Sequence, residues 1–154
     1  MKIKRYIAPA ILTLLIAACG GGDGSTVETV GPMTKIVKHR NLKFVFDLQT
    51  KEKHMQMMQL MDAKMKHGEA SNYFVSLTII DSKTAKLISN ADVTLTVSGP
   101  EGKNGPRPAA LMQGKGMAHY IVGFAKTKPG KYAVSMKTTI AGAKHEHGVN
   151  FNLN

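Results

Sequence analysis

Between Lys43 and Leu48 the chain alternates, with Phe44, Phe46 and Leu48 on one face and Lys43, Val45 and Asp47 on the other. A period of two is the pattern of a strand buried on one side. Lys51 to Lys66 breaks that pattern: it has no Gly or Pro and is rich in Met, Gln, Lys and Ala, all good helix formers. Thr50 or Gln49 is placed to start a helix and Gly68 to end it, which predicts a helical insertion over about 51–67. Alternation returns at Asn72. Tyr73, Val75, Leu77 and Ile79 share a face, as do Val93, Leu95 and Val97, then Tyr132, Val134 and Met136, then Val149, Phe151 and Leu153. Gly116 to Phe124 also reads as a strand. Asp81–Thr84, Lys126–Gly130 and Ala141–Gly142 carry turn chemistry, while Thr26 to Pro32 and Gly99 to Pro106 read as irregular. Six short strands with turns between them predict a mostly β fold, an antiparallel β-sandwich of immunoglobulin type with one inserted Met-rich helix.

The N-terminus follows a different pattern. Lys2, Lys4 and Arg5 precede an apolar run from Ile7 to Ala18, too short to span a bilayer comfortably. This is the layout of an export signal. It ends at Ala17-Ala18-Cys19, which resembles a bacterial lipobox and implies cleavage before Cys19 and lipid on that residue. Cys19 is the only cysteine in the chain, so it has no internal disulfide partner. The glycines after it suit a flexible tether, and Gly20 in the second mature position favours the outer membrane. The expected division is a lipoprotein signal peptide at 1–18, a lipidated Cys and tether at 19–32, and a sandwich domain at 33–154.

Removing the leader lowers the formal charge from +11 to +8. Such a charge raises the question of nucleic acid. An exported protein rarely meets any, and the lysines are scattered without aromatic residues interleaved for stacking. We expect a solvated basic surface beside anionic lipid headgroups and no nucleic-acid partner.

Methionine and histidine carry the candidate chemistry. Met55, Met57, Met58, Met61 and Met65 fall within eleven residues, flanked by His54 and His67. On a helix His54, Met58, Met61 and Met65 form one stripe, with Met57 beside it. A Met stripe is most simply a packing face. Thioether and imidazole together are also a soft-metal donor set, with thioether favouring Cu(I), and thioether neither needs deprotonation nor forms disulfides.

A second group lies in the strands. Met117 and His119 are two apart, as are His145 and His147, so each pair shares a face. If Lys126–Gly130 closes a hairpin, His119 falls near Met136. If Ala141–Gly142 closes the next, His147 falls opposite Lys137, within about one residue. Met117, His119, Met136, His145 and His147 would then gather at one end of three neighbouring strands, with Met112 in the preceding loop. The plainer alternatives are core packing for Met117, a satisfied half-buried ring for His119, and an exposed strand end for His145 and His147. His39 has no companion in the sequence and reads as surface.

Val97-Ser98-Gly99-Pro100-Glu101-Gly102-Lys103, Met112-Gln113-Gly114-Lys115-Gly116-Met117-Ala118-His119-Tyr120 and Gly130-Lys131-Tyr132 resemble the YtkA-like family of small exported immunoglobulin-like domains. The resemblance runs from Asn72 to Leu153 and leaves the Met-rich helix outside it. It implies the sandwich fold and, more loosely, copper handling.

Hydrolase, phosphate-loop, zinc-protease and haem-attachment motifs are absent, and no carboxylate pair is placed for acid–base work. The expectation is a binding protein, not an enzyme: a lipid-anchored periplasmic copper chaperone, buffer or tolerance factor. Its expected ligands are Met117, His119, His145 and His147, with Met112 and Met136 in reserve. His54, Met58, Met61, Met65 and His67 would form a second site or a lid. A copper donor or acceptor protein would be its partner. The rival is an envelope interaction module that docks a partner through the Met-rich helix.

Overall fold

The computed structural model describes residues 24–64 and 70–154. The leader, Cys19, Met65 and His67 lie outside the described residues. The chain runs β1 (Thr26–Gly31), β2 (Thr34–His39), β3 (Leu42–Thr50), α1 (Lys51–Met61), β4 (Tyr73–Asp81), β5 (Asp92–Gly99), β6 (Gly102–Pro108), β7 (Ala110–Gly114), β8 (Met117–Phe124), β9 (Gly130–Ile140) and β10 (Ala143–Leu153). The strands make a six-stranded sheet, ordered β1-β2-β3-β4-β8-β7, and a four-stranded sheet, ordered β10-β9-β5-β6. Every pairing is antiparallel. The result is the expected antiparallel β-sandwich with one inserted helix.

The two inner faces supply the main core. Phe44, Phe46 and Leu48 from β3 and Leu77 and Ile79 from β4 meet Leu95, Val97, Tyr132, Val134 and Met136 from the opposite sheet. These are the apolar faces seen in the sequence alternation. Burying a side chain of this size contributes about 1.5–3 kcal/mol, and the core carries that load without a disulfide in the described residues, which hold no cysteine.

Tyr132 ties β9 to the bend before it. Its hydroxyl lies 2.7 Å from the Lys128 carbonyl oxygen and 2.8 and 2.9 Å from the two Glu101 carboxylate oxygens. A buried tyrosine at the start of a strand, bonded back to the backbone a few residues upstream, is the tyrosine corner of immunoglobulin-type sandwiches. Gly99 makes room for it, because a Cβ there would overlap the Tyr132 ring.

Four strands were not legible as such. Thr26–Gly31, expected as tether, is β1 and pairs with β2. β2 itself is a Lys-rich run with weak alternation. β6 falls in the region read as loop and carries Gly105, Pro106 and Pro108. Proline is tolerated there because β6 is an edge strand. β7 holds Met112, which was expected in a loop. Lys126–Gly130 is the larger correction: it does not close a hairpin. β8 already has β4 and β7 on its two sides, so no edge is left for β9, and the chain crosses to the other sheet. The Asn72 side chain holds that crossing, accepting from the Lys126 N–H and donating to its carbonyl.

Burial, reinforced by the Glu101 carboxylate, pushes the Tyr132 hydroxyl up to about 12 from 10.0. The folded state therefore holds this proton where the unfolded chain releases it, so the associated stability is complete below pH 10.0 and is lost as pH rises toward about 12. Denaturant midpoints followed across that interval should fall in the wild type and fall less steeply in Tyr132→Phe. Parallel curves would show that Tyr132 does not carry the transition.

Candidate metal centre

Alternation along β8 divides its side chains between two environments. Tyr120, Val122 and Phe124 enter the core between the sheets. Met117, His119 and Ile121 have the opposite parity and lie on the outer face of the six-stranded sheet. Register places Met112 of β7 directly across from His119 and Gly114 across from Met117. This outer face is not left to water, because α1 lies over it.

Local chemistry fixes the helix. Thr50 caps its N-terminus, its side chain accepting from the Lys53 N–H at 3.4 Å. At the other end Asp62 adopts φ 53°, and the N–H groups of Asp62 and Ala63 return to the Gln59 and Met58 carbonyls. That is a Schellman closure, and it ends the helix at Met61, short of the expected 67. The buried residues of the helix are His54, Met58 and Met61, three members of the predicted stripe. His54 stacks on Phe74 of β4 with ring centroids 4.1 Å apart and 21° between planes.

Met58, Met61, Phe74, Met112 and Ile121 form a second buried cluster, with Met57, Ala63 and Met117 packed against it. Five methionines from α1, β7 and β8 thus meet in one place, separate from the main core. Met112 is only 2% exposed. Gly114 is what lets the helix end come down onto β7, since a Cβ there would overlap the Met61 carbonyl.

His119 stands at the border of this cluster. Its Nδ1 lies 2.7 Å from the Thr78 Oγ1, and its Nε2 is buried with no hydrogen-bond partner among the described residues. Burial lowers its pKa from the ordinary value, partly opposed by Asp47, so the neutral ring is favoured. Nearby, the Gln49 amide donates to the Asp47 carboxylate at 2.8 Å and lies 3.7 Å from the Met57 sulfur. Asp47 also accepts from Thr34 and pairs with Lys53 at 3.2 Å.

The structure separates the residues expected to converge. Met112, Met117 and His119 join His54, Met58 and Met61 under the helix. Met136, His145 and His147 do not join them. They point between the sheets, where Met136 belongs to the main core and His147 is its direct cross-strand partner, one residue from the expected Lys137. The cause is the missing hairpin: β8 and β9 belong to different sheets. His39 also differs from expectation. It is 3% exposed, with its ring centroid 5.6 Å from that of His145 and 5.1 Å from that of His147. Its only sequence signal was parity with Val37, which is buried in the same strand. Among the described residues, no group of three or more His, Cys, Asp or Glu side chains is arranged as it stands to hold a metal ion. Methionine is outside that set.

The described members of the stripe, His54, Met58 and Met61, are buried against the sheet. The large apolar residues that α1 shows to solvent, among lysines, glutamines and Glu52, are Met55 and Leu60, the latter 68% exposed.

Gly114→Ala should lift the helix end from β7 at a cost of about 1–3 kcal/mol, the usual range for overpacking. Hydrogen exchange should then accelerate over Lys51–Met61 while β3 and β9 keep their protection. Unchanged helix exchange would contradict the seating described here. No family model, curated protein or solved structure matches this chain.

Proposed function

We propose that this chain is a copper-binding protein of the bacterial cell envelope, anchored by lipid on Cys19, acting as a chaperone, buffer or tolerance factor and not as an enzyme. One observation carries the reading. The buried, unpartnered Nε2 of His119 belongs to a side chain on the strand face that also carries Met117, opposite Met112, which itself packs with Met58 and Met61 of α1. The leader and lipobox-like Cys19 support the location, and the resemblance to YtkA-like domains supports both fold and metal class.

The residues fit such an ion. When His119 Nδ1–H donates to Thr78 Oγ1, the Nε2 lone pair is left as the donor, and the ring's orientation is fixed by that bond in the way metal-binding histidines usually are. Burial keeps the ring neutral. Met112, Met117, Met58 and Met61 supply thioether, which suits Cu(I) above harder cations. The helix excludes water from the set and, as an insertion between two sheet strands, is the element that would move to admit or release the ion. An exported copper donor or acceptor protein would be the partner, and nucleic acid would not.

The purified, tag-free protein should take up Cu(I) saturably against a competing chelator, with Cu(II) and Zn(II) titrated beside it. His119→Ala should weaken Cu(I) binding by at least about tenfold. Met58→Leu with Met112→Leu, which keeps core volume nearly constant, should weaken it likewise without loss of the fold. Absence of saturable Cu(I) binding, or affinity indifferent to these changes, would overturn the proposal.

A further inference from the structure

His39, His145 and His147 meet at the end of the sandwich that carries the β2–β3 and β9–β10 turns. His39 comes from the six-stranded sheet and the other two from the four-stranded sheet. Two of the rings lie against Phe44, whose centroid is 5.7 Å from that of His145 and 4.9 Å from that of His147. The His145 and His147 centroids are 6.4 Å apart. We propose that these three imidazoles are the donors of a second metal site, selective for a divalent cation of borderline softness such as Cu(II) or Zn(II), which joins the two sheets.

Spacing, burial and donor type each favour such a site. The first is spacing. A nitrogen ligand sits about 2.0–2.1 Å from such an ion, which places each ring centroid roughly 3.2 Å away and neighbouring centroids roughly 5–5.6 Å apart for tetrahedral or trigonal angles. The His39–His147 and His39–His145 separations, 5.1 and 5.6 Å, already match. The third pair must close by about 1 Å, and the rings must turn about their side-chain torsions for the nitrogens to meet.

The second is burial. His39 is nine-tenths buried or more, and its Nδ1 has no partner among the described residues. Thr138, the cross-strand partner of His145, has a buried Oγ1 in the same condition. Polar atoms placed in an apolar core without partners cost free energy, and an ion would supply the missing one. The nearest carboxylate in sequence, Glu146, has the opposite parity and pairs with Lys137 on the outside at 3.3 Å, so it does not neutralise the cluster.

The third is donor type. The three rings supply only imidazole, which suits divalent copper and zinc, whereas the cluster under α1 is mainly thioether. The two sites would therefore divide the metals by softness. Between β2 and β10 no backbone ladder runs, as they lie in different sheets. An ion held from both sides would stabilise that open flank as an inter-sheet disulfide does in other sandwiches.

The test is Cu(II) titration of the purified, tag-free protein, read by electron paramagnetic resonance, with Zn(II) followed by melting temperature. One equivalent of Cu(II) with nitrogen couplings is expected, and Zn(II) should raise the melting temperature. His39→Ala and His147→Gln should each reduce Cu(II) affinity at least about tenfold, while His119→Ala leaves it unchanged. In the unaltered protein, Zn(II) should shift the imidazole nitrogen resonances of His39, His145 and His147 and leave that of His54 in place, which tests the site even if a variant fails to fold. No uptake of either ion, uptake unaffected by His39→Ala, or resonance shifts at His119 in place of this group would each overturn the proposal. Loss of Cu(I) binding in His119→Ala with Cu(II) binding intact would leave this site standing on its own.

Discussion

The β4–β8 pair of the six-stranded sheet is buried on both faces, and the rest of the architecture depends on that. One face closes against the four-stranded sheet through Val75, Leu77, Tyr120, Val122 and Phe124. The other carries Phe74, Ile121 and, across on β7, Met112, which cannot be left exposed and are covered by α1. A sandwich normally needs only one apolar face per sheet. Here a second cover is required, and the inserted helix provides it. That arrangement makes a small enclosed compartment outside the main core, and His119 lies at its edge because β8 alternation puts it on that side.

The choice of methionine within this compartment has a physical consequence. A helix crossing a twisted sheet leaves irregular gaps, which flexible unbranched side chains fill well. Packing alone therefore accounts for some of the methionines. It does not account for a histidine whose Nδ1 is bonded to Thr78 and whose Nε2 is buried beside them. Among the polar neighbours, Asp47 accepts from Gln49 and Thr34 and pairs with Lys53. His119 Nε2 and Gln49 Oε1 are both left buried without a hydrogen-bond partner among the described residues, and of the two only the imidazole nitrogen is a good soft-metal donor.

The sandwich end is held differently. Sheets meet there through His39 against His145 and His147, and through the latter two against Phe44, in place of the aliphatic residues found further along the same strands. His39 and His145 are buried and His147 is half-buried, and the three lie at the flank where the two sheets are joined by packing alone. The molecule therefore carries two histidine environments of different character, one edged by sulfur and one by aromatic carbon.

The strands with strong period-two alternation, β3, β4, β5, β8, β9 and β10, were legible because a face buried against a sheet must be apolar at every second residue. The helix was legible from composition and spacing, and the inward set His54, Met58 and Met61 followed from its 3.6-residue period. β1, β6 and β7 were not, because they bury almost no side chain and so are under weak compositional constraint, and neither was β2, whose alternation is weak; β10, also an edge strand, buries every second residue from Val149 to Leu153 and was legible. Nor was the partition of the histidines. Sequence fixes the parity of a side chain within its own strand, but which sheet a strand joins depends on which edges remain open once other strands have paired. That is why His119 and Met136, close in a hairpin drawn on paper, lie on different sheets, and why His39, distant in sequence from His145 and His147, lies against them. Local periodicity is set by the chain itself; convergence of distant side chains is a property of the packed whole, decided by competition among strands for the same edges.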